Sequence, residues 1–577
     1  MNHGDIISTL VSCAAFMALV AIISYYKTRG TVDSRDGYFL AGRGLTGVFI
    51  AGSMLLTNLS AEQLIGLNGS AYGYNMSAMA WEVTAAFATI AMALVFLPRY
   101  LTGAFTTLPE FLRSRFDDSV RRITVILFLV GYGLVTIPSV LYAGSVAVLR
   151  LFDIPQLLQV SYGQGLVITI IVVGAIGALY AIFGGLKAVA VSDTINGIGL
   201  LIVGALVPIL GLLALGDGSI SEGVTIITTQ HTEKLSAIGA SDDPVPFGTI
   251  FTGLIFANLF YWCTNQYVIQ RTLAAKNLVE GQKGVLLSGY FKLLVPLFMM
   301  LPGIIAFHLY QDVELATIDL AYPQLVRDVM PLLFSGFFLA VLLGAVFSSF
   351  NSLLNSAATL FCLDVYAPLS KRPIGDAELV RIAKIVSVVI ALFSFLVAPL
   401  LMYAPEGLWQ VIRIFTGFYN IPVIAVVIVG LFTTRVPPIA AKLAIAFHVV
   451  AYALLQFVFE VNIHFIHLYA ILFAIELGMM LLIGRLRPLD QPWHHQNRHK
   501  IDLTPWRYAL PTAILLFSLV VFLYGVFSPL GLVHGLGPEF LWFCAALAAV
   551  TVWLCRLSLR RWNPRYAQSL ARIAAQG

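Results

Sequence analysis

MLLTNLSAEQLIGLNGSAYGYN (54–75) is the stretch that decides the fold of this 577-residue chain. It starts as an apolar, membrane-type segment and is then interrupted. Thr57, Asn58, Ser60, Glu62 and Gln63 fall where a spanning helix should stay apolar, with Gly66 and Gly69 just beyond. Backbone that unwinds at membrane depth is tolerated only where it is buried in protein or lines a cavity. The segment 45–73 therefore reads as a broken helix at a polar site. A second such stretch, GLIFANLFYWCTNQYVIQR (253–271), carries Asn258, Asn265 and Gln266 inside the apolar segment 246–270. Two interrupted segments in corresponding places of two halves point to a transporter site.

Outward from these stretches the chain is apolar almost throughout. Hydrophobic residues make up 59% and charged residues 11%, with a mean hydropathy of +0.89; a soluble domain carries about 25% charge. Segments of bilayer-spanning length recur at 6–26, 45–73, 78–98, 122–149, 163–183, 188–215, 246–270, 283–308, 332–364, 379–404, 407–433, 439–459, 463–484, 508–528 and 535–555. That pattern predicts an all-α polytopic membrane protein of about 14–15 spans. The interrupted segments each open a block of five spans, 45–216 and 246–433. Five is odd, so the second block starts on the opposite face of the bilayer, as an inverted repeat requires. An N-terminal anchor helix with its linker (1–44) and a set of peripheral helices with a tail (434–577) flank the two blocks.

Charge sets the orientation. With the N-terminus outside, 29 of the 34 Lys and Arg residues fall in inner segments, and only Arg150, Lys234 and Arg327 fall outside. This is the positive-inside pattern, and it places the C-terminus inside. The net charge of +5 thus reflects membrane orientation, not nucleic-acid binding. The first span lacks a basic leader, so it reads as an anchor and not a cleaved signal. The five cysteines lie in or at the ends of spans and imply no disulfide framework. His494, His495 and His499 lack Cys or acidic partners at metal-ligand spacing and read as a solvated loop.

Two cations complete the pattern. Lys292 lies in GYFKLLVPLFMMLPGIIAF (289–307) and Arg413 in LWQVIRIFTGFYNIPVIAVV (408–427). A buried cation in such a segment faces a polar cavity or a partner, and Glu82 on another apolar segment is the available acid. In GAVFSSFNSLLNSAATLF (344–361), Ser348, Ser349, Ser352 and Ser356 recur near helical spacing. One reading is hydroxyls bonded to their own i−4 carbonyls. The other turns Ser348 and Ser349 toward the broken segment, where hydroxyls and freed carbonyls form an all-oxygen nest suited to a monovalent cation.

YFLAGR (38–43), TNLSAEQLIGLNGSAYGYN (57–75), AIFGGLKAVAVSDTING (181–197), NLFYWCTNQYVIQRTLAAK (258–276) and FSSFNSLLNSAATLF (347–361) resemble the solute:sodium symporter family, within it the sodium/sugar cotransporter branch. The likeness runs in order from about residue 30 to 435. It implies a LeuT-type five-plus-five inverted repeat with broken first and sixth core helices, no enzymatic chemistry, and Na+ as the coupling ion. By motif position it implies a sodium site at Leu56, Leu59, Ala345, Ser348 and Ser349, with Asp193 behind it. It implies sugar contacts at Gln63, Glu82, Asn258, Tyr261, Lys292 and Arg413, and a gate at Tyr261 with Asn58 and Trp262.

Two positions depart from the family pattern. Ala85 stands where the galactose transporters have serine, and Arg413 stands where neutral-sugar transporters have glutamine. A guanidinium suits a planar or tetrahedral anion, so the solute is either a neutral sugar or polyol, with Arg413 paired to Glu82, or an acidic or sulfated sugar. Glu62 is expected to support the broken helix, and Glu476 to make a helix–helix contact. Rival readings are proton coupling, for which Asp193 is the close titratable group, and a membrane sensor, which would carry an appended signalling domain. The expected setting is a plasma membrane, in bacteria the inner membrane.

Overall fold

The computed structural model describes residues 3–28, 39–152, 154–313, 315, 318–370, 372–403, 408–459, 461–494 and 501–575. Among them the chain is helical, with one isolated bridge between Leu45 and Ala275. Among the described residues, eleven helices are long and apolar enough to cross a bilayer, or up to 13 when two sharply bent pairs each count as one span. This is below the 14–15 expected, and two segments explain the difference. Tyr162–Ala178 and Gly253–Cys263 are apolar but short. The first lies in the 54-residue helical run Tyr162–Leu215. At 1.5 Å per residue that run is far longer than a ~30 Å hydrocarbon core, and its two apolar stretches suit two passes. The second ends at a break.

The halves of the first broken helix are Gly47–Asn58 and Ala61–Gly73, bent by 57°. Leu59 (φ −79°, ψ 82°) and Ser60 (φ −98°, ψ 170°) leave the helical region between them. The second breaks between Gly253–Cys263 and Gln266–Leu273 at Thr264 and Asn265. Leu45 N donates to Ala274 O at 3.1 Å and Lys276 N to Leu45 O at 3.0 Å. These bonds tie the entrance of the first broken helix to the exit of the second.

A third bend was not expected. Segment 283–308, read as a plain span, is Leu278–Lys292 followed by Val295–Leu309, bent by 45°. Pro296 explains it. It has no N–H for the carbonyl of Lys292, four residues earlier, and its ring crowds that carbonyl. Lys292 thus ends the first half at a point where the helix opens.

Burial sorts the helices into centre and rim. Of the apolar window in Phe334–Leu369, 94% is buried; for Met76–Gly103 and Ile412–Phe432 the share is 72%, and for Asp376–Met402 only 22%. The serine-rich helix Leu332–Leu360 is therefore the axis of the bundle, and the 376–402 helix lies on its rim. The first broken helix packs closely on its neighbours. A Cβ on Gly52 would stand 2.7 Å from Thr194 Oγ1 and 2.9 Å from Thr194 Cα. Only glycine allows that approach, and it brings Ser53 beside Asp193.

Three arginines that sequence places in inner segments, Arg115, Arg121 and Arg271, are buried in the protein. Arg115 donates to the carbonyls of Gly430, Thr433 and Val436 at 3.0, 3.1 and 3.2 Å. It thereby satisfies the Gly430 carbonyl, which the end of the Leu408–Phe432 helix leaves without an intrahelical donor, and two carbonyls just beyond that end.

Candidate functional site

The first break frees backbone oxygen. In an unbroken helix Leu56 O would accept from Ser60 N, but Ser60 N bonds Asn58 O at 3.0 Å. Ser349 Oγ, on the facing axial helix, lies 3.4 Å from Leu56 O and 3.5 Å from Thr57 O. Leu59 sits at the break itself, and Ala345 is buried one turn before Ser349. Ser348 Oγ is buried near Asp193 and makes no hydrogen bond of ordinary geometry. Among the four serines only Ser352 bonds its own i−4 carbonyl, at 2.6 Å, and Ser356 reaches across to Gln270 Oε1 at 2.6 Å. The cluster is hydroxyl and carbonyl oxygen with one carboxylate behind it, a set that fits a monovalent cation.

Asp193 does not stand alone behind this cluster. Its Oδ2 accepts from Ser53 Oγ at 2.7 Å and lies 3.9 Å from the Arg271 guanidinium, with both charged side chains fully buried. Arg271 also donates to Ser53 Oγ at 2.8 Å, to Ser352 Oγ and to Tyr267 O. It links the second half of the second broken helix to the first half of the first. The run Gln266, Gln270, Arg271, all buried, was the available sequence signal: three strongly polar residues within two turns beside an apolar segment.

The second polar centre contains Glu82. Its carboxylate pairs with Lys292 and accepts from Gln63 Nε2 at 3.0 Å; the Glu82 and Lys292 side chains are 3% and 1% exposed. Lys292 Nζ stands 5.3 Å from the Trp262 ring centroid. Asn258 Nδ2 donates to Thr84 Oγ1 at 3.0 Å. Of the two cations open to Glu82 from sequence, Lys292 is the one that pairs with it. Glu82 is engaged by Lys292 and Gln63, and the Arg413 guanidinium lies 4.5 Å over the Trp81 ring.

Two cavities meet here. One, the smaller, is lined by Glu82, Trp81, Asn258, Trp262 and their neighbours. The other, the larger, is lined by residues that include Thr57, Glu62, Gln63, Tyr267, Ser349 and Thr416. Asn58, Tyr261, Arg413 and Asn420 line both, so they form the wall between them. The Tyr261 hydroxyl faces Asn58 and Tyr267. Asn58 Oδ1, Glu62 Oε2, Gln63 Oε1 and Asn420 Oδ1 are buried acceptor oxygens with no hydrogen-bond partner among the described residues, and all four residues line the larger cavity. Trp81, Thr84, Asn420 and Arg271 were not singled out from sequence.

Comparison with known proteins agrees with this architecture. The family model "Sodium:solute symporter family" matches residues 38–441. An uncharacterized symporter, YidK, of Escherichia coli (strain K12) is 44% identical over 547 residues, covering 94% of this chain and 95% of the relative. A sodium/glucose cotransporter of Vibrio parahaemolyticus is 31% identical over 457 residues, covering 75% and 82%. Among solved structures, a Na+-coupled sialic acid symporter in a substrate-bound outward-open state superposes with a TM-score of 0.71 at 21% identity, covering 84% of this chain and 99% of that one. At that identity the likeness carries the fold.

Proposed function

Because the chain belongs to the sodium:solute symporter family, we propose that the solute it carries with sodium is a sugar or a sugar-like polyol. Sodium-coupled solute import across a membrane is the family's activity, and sodium is the coupling ion. The observation that carries the sugar reading is the set of four unpartnered acceptor oxygens on Asn58, Glu62, Gln63 and Asn420 around one cavity. Buried acceptors are costly to leave unsatisfied, and a polyhydroxylated solute brings a donor for each.

In this reading sodium is held by Leu56, Leu59, Ala345, Ser348 and Ser349, with Asp193 behind. The solute is held by Gln63, Glu82, Asn258, Tyr261, Lys292 and Arg413. Tyr261, with Asn58 and Trp262, closes the path between the two cavities. The two five-span blocks, the outside N-terminus and a bacterial inner membrane belong to the same reading. Each sodium charge moved inward contributes roughly 2.3 kcal/mol per 100 mV of membrane potential.

A second reading is favoured by one contact. The Arg413 guanidinium lies over the Trp81 ring and borders both cavities. An acidic sugar, such as a uronate, would place its carboxylate on that guanidinium. Uptake into proteoliposomes tests both readings. D-galactose, D-glucose, myo-inositol, D-glucuronate and D-galacturonate are offered under sodium, potassium or proton gradients. Sodium-driven uptake of a hexose or polyol supports the first reading, and of a uronate alone the second. Uptake of none of the five, or uptake driven by protons without sodium, overturns the proposal.

A further inference from the structure

Outside the two polar centres the most deeply buried titratable pair is His448 with Glu476, both fully buried, on the peripheral helices Pro438–Ala453 and Phe465–Leu486. An ionisable pair inside a membrane helix bundle is costly, and well-packed apolar residues could hold two helices together as well. The pair calls for a role beyond packing.

Its contacts supply one. His448 Nδ1 bonds Glu476 Oε1, and His448 Nε2 lies 3.0 Å from Gly417 O. A carbonyl only accepts, so Nε2 carries hydrogen. Nδ1 and Oε1 then share one proton, whichever atom owns it. Two tyrosines on the same helices do what His448 does. Tyr469 donates to Arg413 O at 2.6 Å and Tyr452 to Ile414 O at 2.9 Å. Three carbonyls in one turn of the Leu408–Phe432 helix are thus gripped from outside. The approach depends on Gly417, where a Cβ would stand 2.7 Å from Tyr452 Oη and 2.8 Å from Tyr469 Cε1. The gripped turn begins at Arg413, whose guanidinium lies over Trp81 in the wall between the cavities.

We propose that His448 and Glu476, with Tyr469, are positioning residues: they fix the Arg413–Gly417 turn and so set where the Arg413 guanidinium stands in the solute cavity. The role in recognition rests on the reading of Arg413 as a solute contact; the positioning itself does not.

Trp81 reports the guanidinium directly, without any solute. The measurement is the emission of purified full-length protein in sodium buffer, taken as the difference between each variant and the same variant carrying Trp81→Phe. Arg413→Gln should shift this Trp81 spectrum. His448→Ala, Glu476→Ala and Tyr469→Phe should shift it the same way, by at least half as much. Glu476→Gln should restore the wild-type spectrum, because its amide N–H can donate to a neutral Nδ1 while Nε2–H stays on Gly417 O. Arg413→Gln combined with Glu476→Ala should match Arg413→Gln alone. Wild-type spectra in the three disrupting variants, an added shift in the double variant, or no shift in Arg413→Gln overturns the inference. Should the alanine variants not fold, Tyr469→Phe, which removes one hydroxyl, decides. Uptake of D-galactose and D-glucuronate by Arg413→Gln reads the solute role separately. If uptake is unaffected while the spectra behave as expected, the site reading fails and the positioning role stands.

Discussion

Replacing Lys292 by Met removes one charge of the Glu82–Lys292 pair and keeps most of the side-chain length. Both side chains are almost wholly buried, at 3% and 1% exposed, so water does not screen what is left. The Glu82 carboxylate would retain the Gln63 amide at 3.0 Å, a bond worth only about 1 kcal/mol net. Breaking a buried pair by removing one partner typically costs about 3–5 kcal/mol. That is roughly two to three and a half powers of ten in the folded population. Lys292→Met should therefore melt well below wild type in the same detergent. Adding Glu82→Gln removes the orphaned charge, and the double variant should regain most of the lost stability. Transport should stay absent in the double variant if the pair also contacts solute. Melting curves for wild type, both single variants and the double variant, with sodium-driven uptake on each, complete the cycle. Lys292→Met melting with wild type, or the double variant melting no higher than Lys292→Met, would refute the reasoning, because the carboxylate would then be uncharged or hydrated.

Three further outcomes are expected at other positions. Ser348→Ala with Ser349→Ala removes the hydroxyl beside Asp193 and the one facing the first break, and the sodium concentration for half-maximal uptake should rise about ten-fold or more, with unchanged sodium dependence counting against the site. Tyr261→Phe should keep most solute affinity while Tyr261→Ala loses it, since a stacked aromatic is worth ~0.5–1.5 kcal/mol beyond its area; equal behaviour in a binding assay removes the ring as a platform. At the helix start Asp117–Val120, burial works to raise the Asp117 carboxyl, but the Lys442 ammonium at 2.5 Å and the Val120 N–H outweigh it and hold it below its ordinary value. The stability it adds is present above the ordinary carboxylate range and lost as pH falls through the depressed value, so Lys442→Met should blunt the acid-side fall in melting temperature.

What the sequence made legible was local. Polar residues inside apolar segments located both breaks to within a few residues, at Leu59–Ser60 and Thr264–Asn265. An apolar segment holding one lysine showed that Lys292 needed a partner. The partner's identity was a matter of tertiary geometry. Glu82 was equally available to Lys292 and Arg413, and only the packing of helices about 200 residues apart in the chain decided it. The burial of Arg271 was not legible because it falls near a segment end, where a basic residue ordinarily reaches the interface; here it lies in a half-helix whose residues are packed inside the protein. Pro296 was in plain view, yet an apolar run of full length hid the bend it makes. Glu476 stood out as an acid in an apolar helix, but nothing within its own segment pointed to His448.

Four side chains from three helices border both cavities: Asn58 from the first broken helix, Tyr261 from the second, and Arg413 with Asn420 from Leu408–Phe432. In the proposed cycle, tightness of coupling then depends on the slowest re-formation of a few hydrogen-bonding contacts, and the failure to expect is slippage. A variant that thins this set, such as Tyr261→Ala, could still bind sodium and yet let it run down its gradient without cargo, as a sodium current that appears when uptake is lost.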